Sequence, residues 1–188
     1  NVVPVGKDQL PHIELTRNIA KAFNRKFCKS REPVFPLPQA LLSKTPSILG
    51  LDGSQKMSKS RGNAIFLCST EDETASLIKK AKTDSERVIT YDPENRPEVA
   101  NLLMLISLCT KEEPAAIAER IGEKGSGELK KVLAEALNEE LRPLRQKRAE
   151  LEKNPDYIRK VLLDGVEKAR AIAIKTLDEV REAMNMKI

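Results

Sequence analysis

The 188-residue sequence contains no tryptophan, and aromatic residues make up only 3% of it. Single-stranded nucleic acids stack on aromatic rings, and β-sandwich cores are rich in them, so both classes of protein are disfavoured. No apolar run approaches the roughly 18 residues of a membrane-spanning helix, and the N-terminus lacks the pattern of a secretory signal. We therefore expect a largely helical protein that has no membrane partner and resides in the cytoplasm.

Cysteine is also scarce, since the chain has only Cys28, Cys68 and Cys109. The three are far apart, odd in number and never in a C-x-x-C arrangement. This spacing supports neither a disulfide framework nor a zinc site. A reducing compartment and the absence of a protein-bound metal are the simplest predictions.

Positive charge is concentrated in the first third of the chain. Residues 1–63 carry 11 Lys and Arg against 4 Asp and Glu, whereas residues 64–188 carry 22 against 24. A local basic excess of this kind favours a polyanionic ligand. An ordinary solvated face explains the basic cluster over residues 21–31 equally well.

The first 54 residues indicate a strand, a glycine turn, a helix and a loop. Residues 2–5 are apolar and predict a buried strand that stops at Gly6, and Pro11 suits the first turn of a helix that follows Asp8. Residues 32–54 are rich in proline and glycine, which predicts an irregular loop with at most short strands. Because the first strand has no upstream element to pair with, we expect the chain to be the C-terminal part of a longer protein.

From residue 69 onward the pattern is that of successive helices. Thr70 and Glu73 have the spacing of a capping box, with Leu77, Ile78 and Ala81 on the buried side of the helix. Asn101 suits the cap of a helix over residues 102–108, which is apolar all round and should be buried between others.

Three further positions predict helix ends. Pro114 should open one helix, and Ser126 should cap a longer one that Pro143 kinks or ends, because proline lacks the backbone donor. A last helix should start at Asn154-Pro155 and carry apolar residues at three- and four-residue spacing to the end of the chain.

One short segment has the composition of a phosphate-binding loop. Lys56, Met57, Ser58, Lys59 and Ser60 place two lysines three positions apart among hydroxyl residues. Lysine ammonium groups and hydroxyl donors suit a polyphosphate, and they would stabilise charge that develops on a departing pyrophosphate. Most two-lysine pentamers are simply solvated basic loops, and composition alone does not separate the two interpretations.

These five residues spell KMSKS, the signature of class I aminoacyl-tRNA synthetases, and the chain resembles that family. Residues 4–17, PVGKDQLPHIELTR, resemble the strand-to-helix turn of tryptophanyl-tRNA synthetases, with the pattern G-x-D-Q-x-x-H-x-E-L-T/S-R. Residues 83–85 (TDS), 101–103 (NLL) and 122–127 resemble the helical region of the same family. The resemblance therefore extends over nearly the whole chain.

The resemblance implies an α/β part followed by an all-α part. Residues 1–66 would be the second half of a Rossmann-like parallel-sheet nucleotide-binding domain that includes the KMSKS loop, and residues 67–153 a helical anticodon-binding domain. Residues 154–188 would form a long C-terminal helix. The resemblance leaves open whether this helix packs back on the catalytic domain.

The resemblance also implies a ligase of protein biosynthesis that activates L-tryptophan with ATP and transfers it to tRNA(Trp). ATP would arrive with Mg²⁺ as a substrate, and the full-length enzyme would be a homodimer. Lys56 and Lys59 would be catalytic by holding the triphosphate and stabilising its departure, and Gln9 would face the amino acid. The ATP site would comprise Gly6, Lys7, Asp8, Ile48, Lys56, Met57, Ser58, Lys59 and Ser60.

The residues themselves leave alternatives open. Asp8 equally suits the N-cap of its own helix, Ile48 a core position, and Met57 a gap filler. A tyrosyl or other class I synthetase shares the KMSKS loop, and a catalytically inactive tRNA-binding fragment is the alternative from another class. We expect these 188 residues alone to be inactive.

Overall fold

The computed structural model describes residues 1–42, 48–53 and 56–186. The chain divides into two compact units: a sheet unit of Asn1–Ser47 with Asn154–Ile188, and a helical unit of Ile48–Lys153. The helical unit includes the described residues of the KMSKS segment, 56–60. Most described residues are helical, and the one sheet among them has two strands. No helix in these ranges is long and apolar enough to cross a bilayer.

The sheet unit begins with a strand that is less buried than we predicted. Strand β1 (Val2–Pro4) runs parallel to β2 (Gln39–Leu41), with Val3 opposite Ala40. The Val5 amide extends the ladder by donating to the Leu41 carbonyl at 3.0 Å. Val2 is 58% exposed, because the described residues lay no second layer over its side chain. The expectation of a buried strand was therefore wrong. The expectation of an irregular loop with at most short strands over residues 32–54 is confirmed for the described part; residues 43–47 and 54 lie outside the described residues.

The predicted glycine turn and helix after β1 are confirmed. Helix α1 (Leu10–Phe27) follows a single 3₁₀ turn over Lys7–Gln9 and has Pro11 in its first turn. The side-chain amide of Asn24 donates to the Phe35 carbonyl at 2.7 Å and accepts from the Phe35 amide at 3.2 Å. These two hydrogen bonds hold the segment between α1 and β2 against helix α1.

The helical unit is built on four helices. They are α2 (Glu71–Lys79), α3 (Pro97–Thr110), α4 (Pro114–Ile121) and α5 (Gly125–Glu152). The core includes fully buried side chains from all four, because each helix contributes an apolar stripe. Helix α3 contributes most, as its all-round apolar sequence predicted, although Leu108 at its end is exposed.

The capping box of α2 is confirmed. Thr70 accepts a hydrogen bond from the Glu73 amide at 3.1 Å, and the Glu73 carboxylate accepts from the Thr70 amide at 2.8 Å. Ile78 and Ala81 are buried and Leu77 is half-buried. The local sequence signal was sufficient here because both partners lie within one turn.

Two predicted helix caps were wrong. Helix α3 begins at Pro97, so Asn101 lies inside it rather than at its cap. Helix α5 begins one residue before Ser126, which makes no capping bond. The helix continues past Pro143, so the end predicted there is wrong, and the alternative of a kink stays a prediction. Two residues beyond Pro143, the Arg145 guanidinium donates to Asn138 on the preceding turns and to Thr74 of α2, both at 2.9 Å.

The last helix, α6 (Pro155–Ala183), belongs to the sheet unit. It starts where we predicted, since the Asn154 side chain accepts from the Tyr157 amide at 3.1 Å and Pro155 occupies the first turn. Although α6 is described over its whole length, none of its residues is buried. Most of its apolar positions are exposed, including Val161, Leu162 and Ile172, while Val180 and Ala183 are half-buried.

Candidate functional site

The sheet unit brings together four predicted site residues at the start of α1. Gly6 precedes the 3₁₀ turn in an extended conformation, and its carbonyl accepts from the Gln9 amide at 2.9 Å. The Gln9 side chain donates to the Asp8 carboxylate at 2.9 Å. Lys7, Asp8 and Gln9 are exposed, and Gly6 is half-buried. The N-cap of α1 is Gln9, so the alternative reading of Asp8 as the cap residue was wrong.

The helical unit holds the remaining predicted residues on a narrow hairpin. Leu49 pairs with Lys56 in an isolated antiparallel bridge, and the Met57 amide donates to the Ile48 carbonyl at 3.0 Å. Ile48 is half-buried and packs against the core of the unit, in agreement with its alternative structural role. The hairpin thus presents the KMSKS segment at the edge of the helical core.

The polar groups of the segment face outward. Residues Lys59–Arg61 form a 3₁₀ turn that ends at Gly62 in a left-handed conformation (φ 67°). The hydroxyls of Ser58 and Ser60 are 3.0 Å apart and share a hydrogen bond. Lys56, Lys59 and Ser60 are exposed. Two ammonium groups and two hydroxyls therefore lie within five residues, of which Met57 and Ser58 are half-buried and the others are exposed.

Asn63 organises this stretch, and sequence reasoning missed it. Its side chain is 6% exposed; the carboxamide oxygen accepts from the Ser58 amide at 2.8 Å, and the nitrogen donates to Asp52 at 3.1 Å. Its backbone carbonyl accepts from the Leu51 amide at 2.9 Å. Gly50 is required beside it, because a Cβ at Gly50 would overlap the Asn63 side chain. In the sequence, Gly50 is the signal that could have indicated this contact, because it leaves room for the Asn63 side chain.

Asn101 fastens the other strand of the hairpin. From inside α3, its carboxamide accepts from the Leu49 amide at 3.0 Å and donates to the Leu49 carbonyl at 3.1 Å. Since both backbone groups of Leu49 are paired with one side chain, the base of the hairpin is fixed to a core helix. The prediction of a helix cap at Asn101 depended on the preference for asparagine at caps, which does not distinguish it from this long-range contact.

A third attachment is electrostatic. The Lys82 backbone amide donates to the Leu51 carbonyl at 2.8 Å, and the Lys82 ammonium lies 2.8 Å from the Glu98 carboxylate. This hydrogen bond lowers the pKa of Glu98 and raises that of Lys82. Gly53 adopts φ 71° against Glu98, where a Cβ would overlap the Glu98 side chain. The hairpin is therefore held by α3 and by the segment after α2.

The Thr83-Asp84-Ser85 element has a structural contact in this fold. Asp84 receives two hydrogen bonds from the buried guanidinium of Arg96, which also donates to the Val88 carbonyl and the Thr90 hydroxyl, both at 2.7 Å. The hydrogen bonds between Asp84 and Arg96 lower the pKa of Asp84 and raise that of Arg96. Their effect is to fix the connection between α2 and α3.

The described residues contain no cluster of three or more His, Cys, Asp or Glu side chains that would hold a metal ion. What the two groups of site residues offer is chemistry for a nucleotide. The turn before α1 presents backbone donors and the positive end of a helix, and the hairpin presents ammonium and hydroxyl groups. The structure places these two groups in separate units, Gly6 to Gln9 in one and Ile48 with Lys56 to Ser60 in the other.

Residues 1–142 match the family described as tRNA synthetases class I (W and Y). The chain belongs to this family. It is 46% identical over 188 residues to a tryptophan–tRNA ligase of Aquifex aeolicus, a match that covers 98% of this chain and 46% of the relative. The chain thus spans about half the length of the curated relatives that it matches.

Solved structures agree with the family. The fold is similar to a tryptophanyl-tRNA synthetase of Mycoplasma pneumoniae, with a TM-score of 0.81 and 29% identity over 99% of this chain and 58% of that one. It is also similar to the Campylobacter jejuni enzyme solved with ADP and tryptophan, with a TM-score of 0.71 and 31% identity over 98% of this chain and 57% of that one. The resemblance that the KMSKS segment suggested is confirmed at the level of this class I family.

Proposed function

We propose that this chain carries out, as part of its enzyme, the ATP-dependent activation of L-tryptophan and its ligation to tRNA(Trp). The observation that carries the proposal is the KMSKS hairpin, on which Lys59 and Ser60 are exposed while Asn63 and Asn101 hold the backbone. A loop whose cations are exposed and whose base is fixed is suited to a polyphosphate substrate.

In the proposed reaction, the amino-acid carboxylate attacks the α-phosphorus of ATP and pyrophosphate leaves. Lys56 and Lys59 hold the triphosphate and stabilise the charge that grows on the leaving group, and no proton transfer by these residues is required. Ser58 and Ser60 supply hydroxyl donors. Mg²⁺ enters with ATP, because it prefers phosphate oxygens to an all-protein cage.

The remaining site residues are proposed to seat the rest of the substrate. Backbone donors at the start of α1 suit a nucleotide, and Asp8 suits its ribose hydroxyls. Gln9 is proposed on the amino-acid side. The adenosine would be held by Gly6, Lys7, Asp8, Ile48 and Met57.

The proposed domains follow the family resemblance. Residues 1–66 are proposed as the second half of a Rossmann-like nucleotide-binding domain, residues 67–153 as a helical anticodon-binding domain, and residues 154–188 as a C-terminal helix. A homodimer and a cytoplasmic location stay predictions. The choice of tryptophan over tyrosine is supported by curated relatives at 37–46% identity, all of them tryptophan–tRNA ligases.

The test is amino-acid-dependent exchange between ATP and pyrophosphate, with tryptophan and tyrosine compared. It is run on these 188 residues and on the longest natural chain that contains them. Exchange with tryptophan in the longer chain supports the proposal. Exchange with tyrosine instead contradicts the specificity, and no exchange with either contradicts the activity and favours a fragment that only binds tRNA.

A further inference from the structure

Two asparagine side chains hold the backbone of the KMSKS hairpin, in addition to the bond from the Lys82 amide to the Leu51 carbonyl. Asn63 pairs with the Ser58 amide and with Asp52, and Asn101 pairs with both backbone groups of Leu49. We call Asn63 and Asn101 the carboxamide pair. Its members contact opposite strands of the hairpin, since Leu49 lies before the turn and Ser58 after it.

These contacts replace backbone pairing that the hairpin lacks. The Leu49–Lys56 bridge is isolated. No described neighbouring strand therefore pairs with the backbone amide and carbonyl of Leu49. A buried N–H or C=O without a partner costs about 1–3 kcal/mol, which makes the Asn101 contact hard to lose without moving the backbone. A side-chain carboxamide combines an acceptor oxygen with a donor NH₂ group, and Asn101 uses both groups on one residue.

Asn101 is anchored on a core helix, whereas Asn63 is a buried residue that follows the KMSKS segment itself. Asn101 precedes Leu102 and Leu103 of α3, which are 1% and 0% exposed, and Asn63 is itself buried against Gly50. By contrast Lys59, one residue beyond Ser58, is exposed. The Ser58 backbone is therefore held by a buried side chain, and its position sets where the Lys59 side chain begins.

We propose that Asn63 and Asn101 are positioning residues for the activation step, acting by holding Ser58 and Lys59 where the charge of the leaving pyrophosphate develops. This inference rests on the proposed function. Neither asparagine touches the substrate. Each acts through the hairpin backbone, so its contribution should depend on the presence of the Lys59 ammonium.

The dependence on the Lys59 ammonium distinguishes a positioning role from a purely structural one. Asn101→Ala and Asn63→Ala are made alone and combined with Lys59→Ala in the longest natural chain that contains these residues. Each single substitution should lower kcat of tryptophan-dependent exchange between about 10-fold and 100-fold, the scale of a 1 Å misplacement. The KM for ATP should change by less than about 3-fold, because a transition-state interaction is what is lost.

In the Lys59→Ala background the same asparagine substitutions should lower kcat by less than about 3-fold, since residues that act as a unit are not additive. A full additional loss would overturn the inference. Ser107→Ala on the same helix is the matched control and should leave kcat unchanged. Asn101→Asp, which keeps the acceptor for the Leu49 amide, should fall between Asn101→Ala and the unmodified protein.

Amide hydrogen exchange separates the geometry from the activity. The Leu49 and Ser58 amides should be protected in the unmodified protein and lose protection in Asn101→Ala and Asn63→Ala respectively, while core amides of α3 stay protected. If either substitution unfolds the protein, the other one carries the test. If the variants keep normal amide protection and normal kcat, this inference is overturned and the proposed function is not. If the unmodified protein has no activity, both the proposed function and this inference are overturned.

Discussion

Asp84 and Arg96 form a two-point contact between the start and the end of the connection that joins α2 to α3. The Arg96 Nε donates to one carboxylate oxygen at 2.6 Å and a terminal nitrogen donates to the other at 2.8 Å. Arg96 is 7% exposed at its side chain and Asp84 is 29% exposed. A paired, largely buried guanidinium depends on its partner, because the charge left behind after loss of the carboxylate is poorly solvated.

Asp84→Asn should therefore lower the free energy of unfolding of the helical unit by about 2–3 kcal/mol, the range for hydrogen bonds to charged groups. Urea denaturation followed by circular dichroism measures it. Glu86→Gln is the matched control: Glu86 lies 3.6 Å from Arg96 but is 69% exposed. It should cost less than about 1 kcal/mol, as exposed ion pairs do. Equal losses in the two variants would contradict the account.

The Asp84–Arg96 pair and the Glu98–Lys82 pair predict a pH dependence of stability. The pKa of Asp84 lies below its usual range because Arg96 donates hydrogen bonds to it, and the pKa of Glu98 is lowered by Lys82. The native state thus binds fewer protons than the unfolded chain once the pH falls below about 5. The stability from both pairs is fully present above that pH and is lost as the pH falls through the native pKa values. The difference in urea midpoint between Asp84→Asn and the unmodified protein should shrink from about pH 7 to about pH 3, and a constant difference would exclude this linkage.

The capping box of α2 gives a local test. Thr70→Ala removes the acceptor of the Glu73 amide and should cost about 1 kcal/mol of stability, the usual value for an N-cap. Ser69→Ala, one residue earlier, is the control and should cost less than about 0.5 kcal/mol. Urea midpoints again provide the measurement. If Thr70→Ala leaves the midpoint unchanged, the capping box contributes nothing to stability.

The three free thiols should differ in reactivity. Cys68 is exposed, Cys28 is buried, and Cys109 is half-buried with a pKa raised by burial. Since the thiolate is the reactive form, a brief treatment with iodoacetamide should modify Cys68 first. Mass spectrometry of peptides identifies the site, and a denatured sample should react at all three. Earlier modification of Cys28 in the folded protein would be inconsistent with the described packing.

Sequence signals predicted the structure where both partners of a contact are close in the chain. The Thr70 capping box, the Gly6 turn and the Asn154-Pro155 start all depend on residues within one turn of each other. The start of α3 was missed although Pro97 was a valid start signal, because Asn101 offered a competing one.

The candidate site was predictable only in part for the same reason. The KMSKS residues are recognisable by identity, but the contacts that hold them join residues far apart. Asn101 and Leu49 are 52 positions apart, and their pairing exists only once α3 has packed. A side chain that satisfies a distant backbone has no periodicity or spacing in the sequence to reveal it.

The most direct test of the central claim is the single-turnover rate of tryptophanyl-adenylate formation in the unmodified protein and in Lys59→Ala, using the longest natural chain that contains these residues. Lys160→Ala on α6 is the matched control, because Lys160 is an exposed lysine outside the proposed site. The account predicts that Lys59→Ala lowers the rate constant by about 100-fold or more while the affinity for ATP changes little. An equal loss in rate and in affinity, or a rate unaffected by Lys59→Ala, would contradict it.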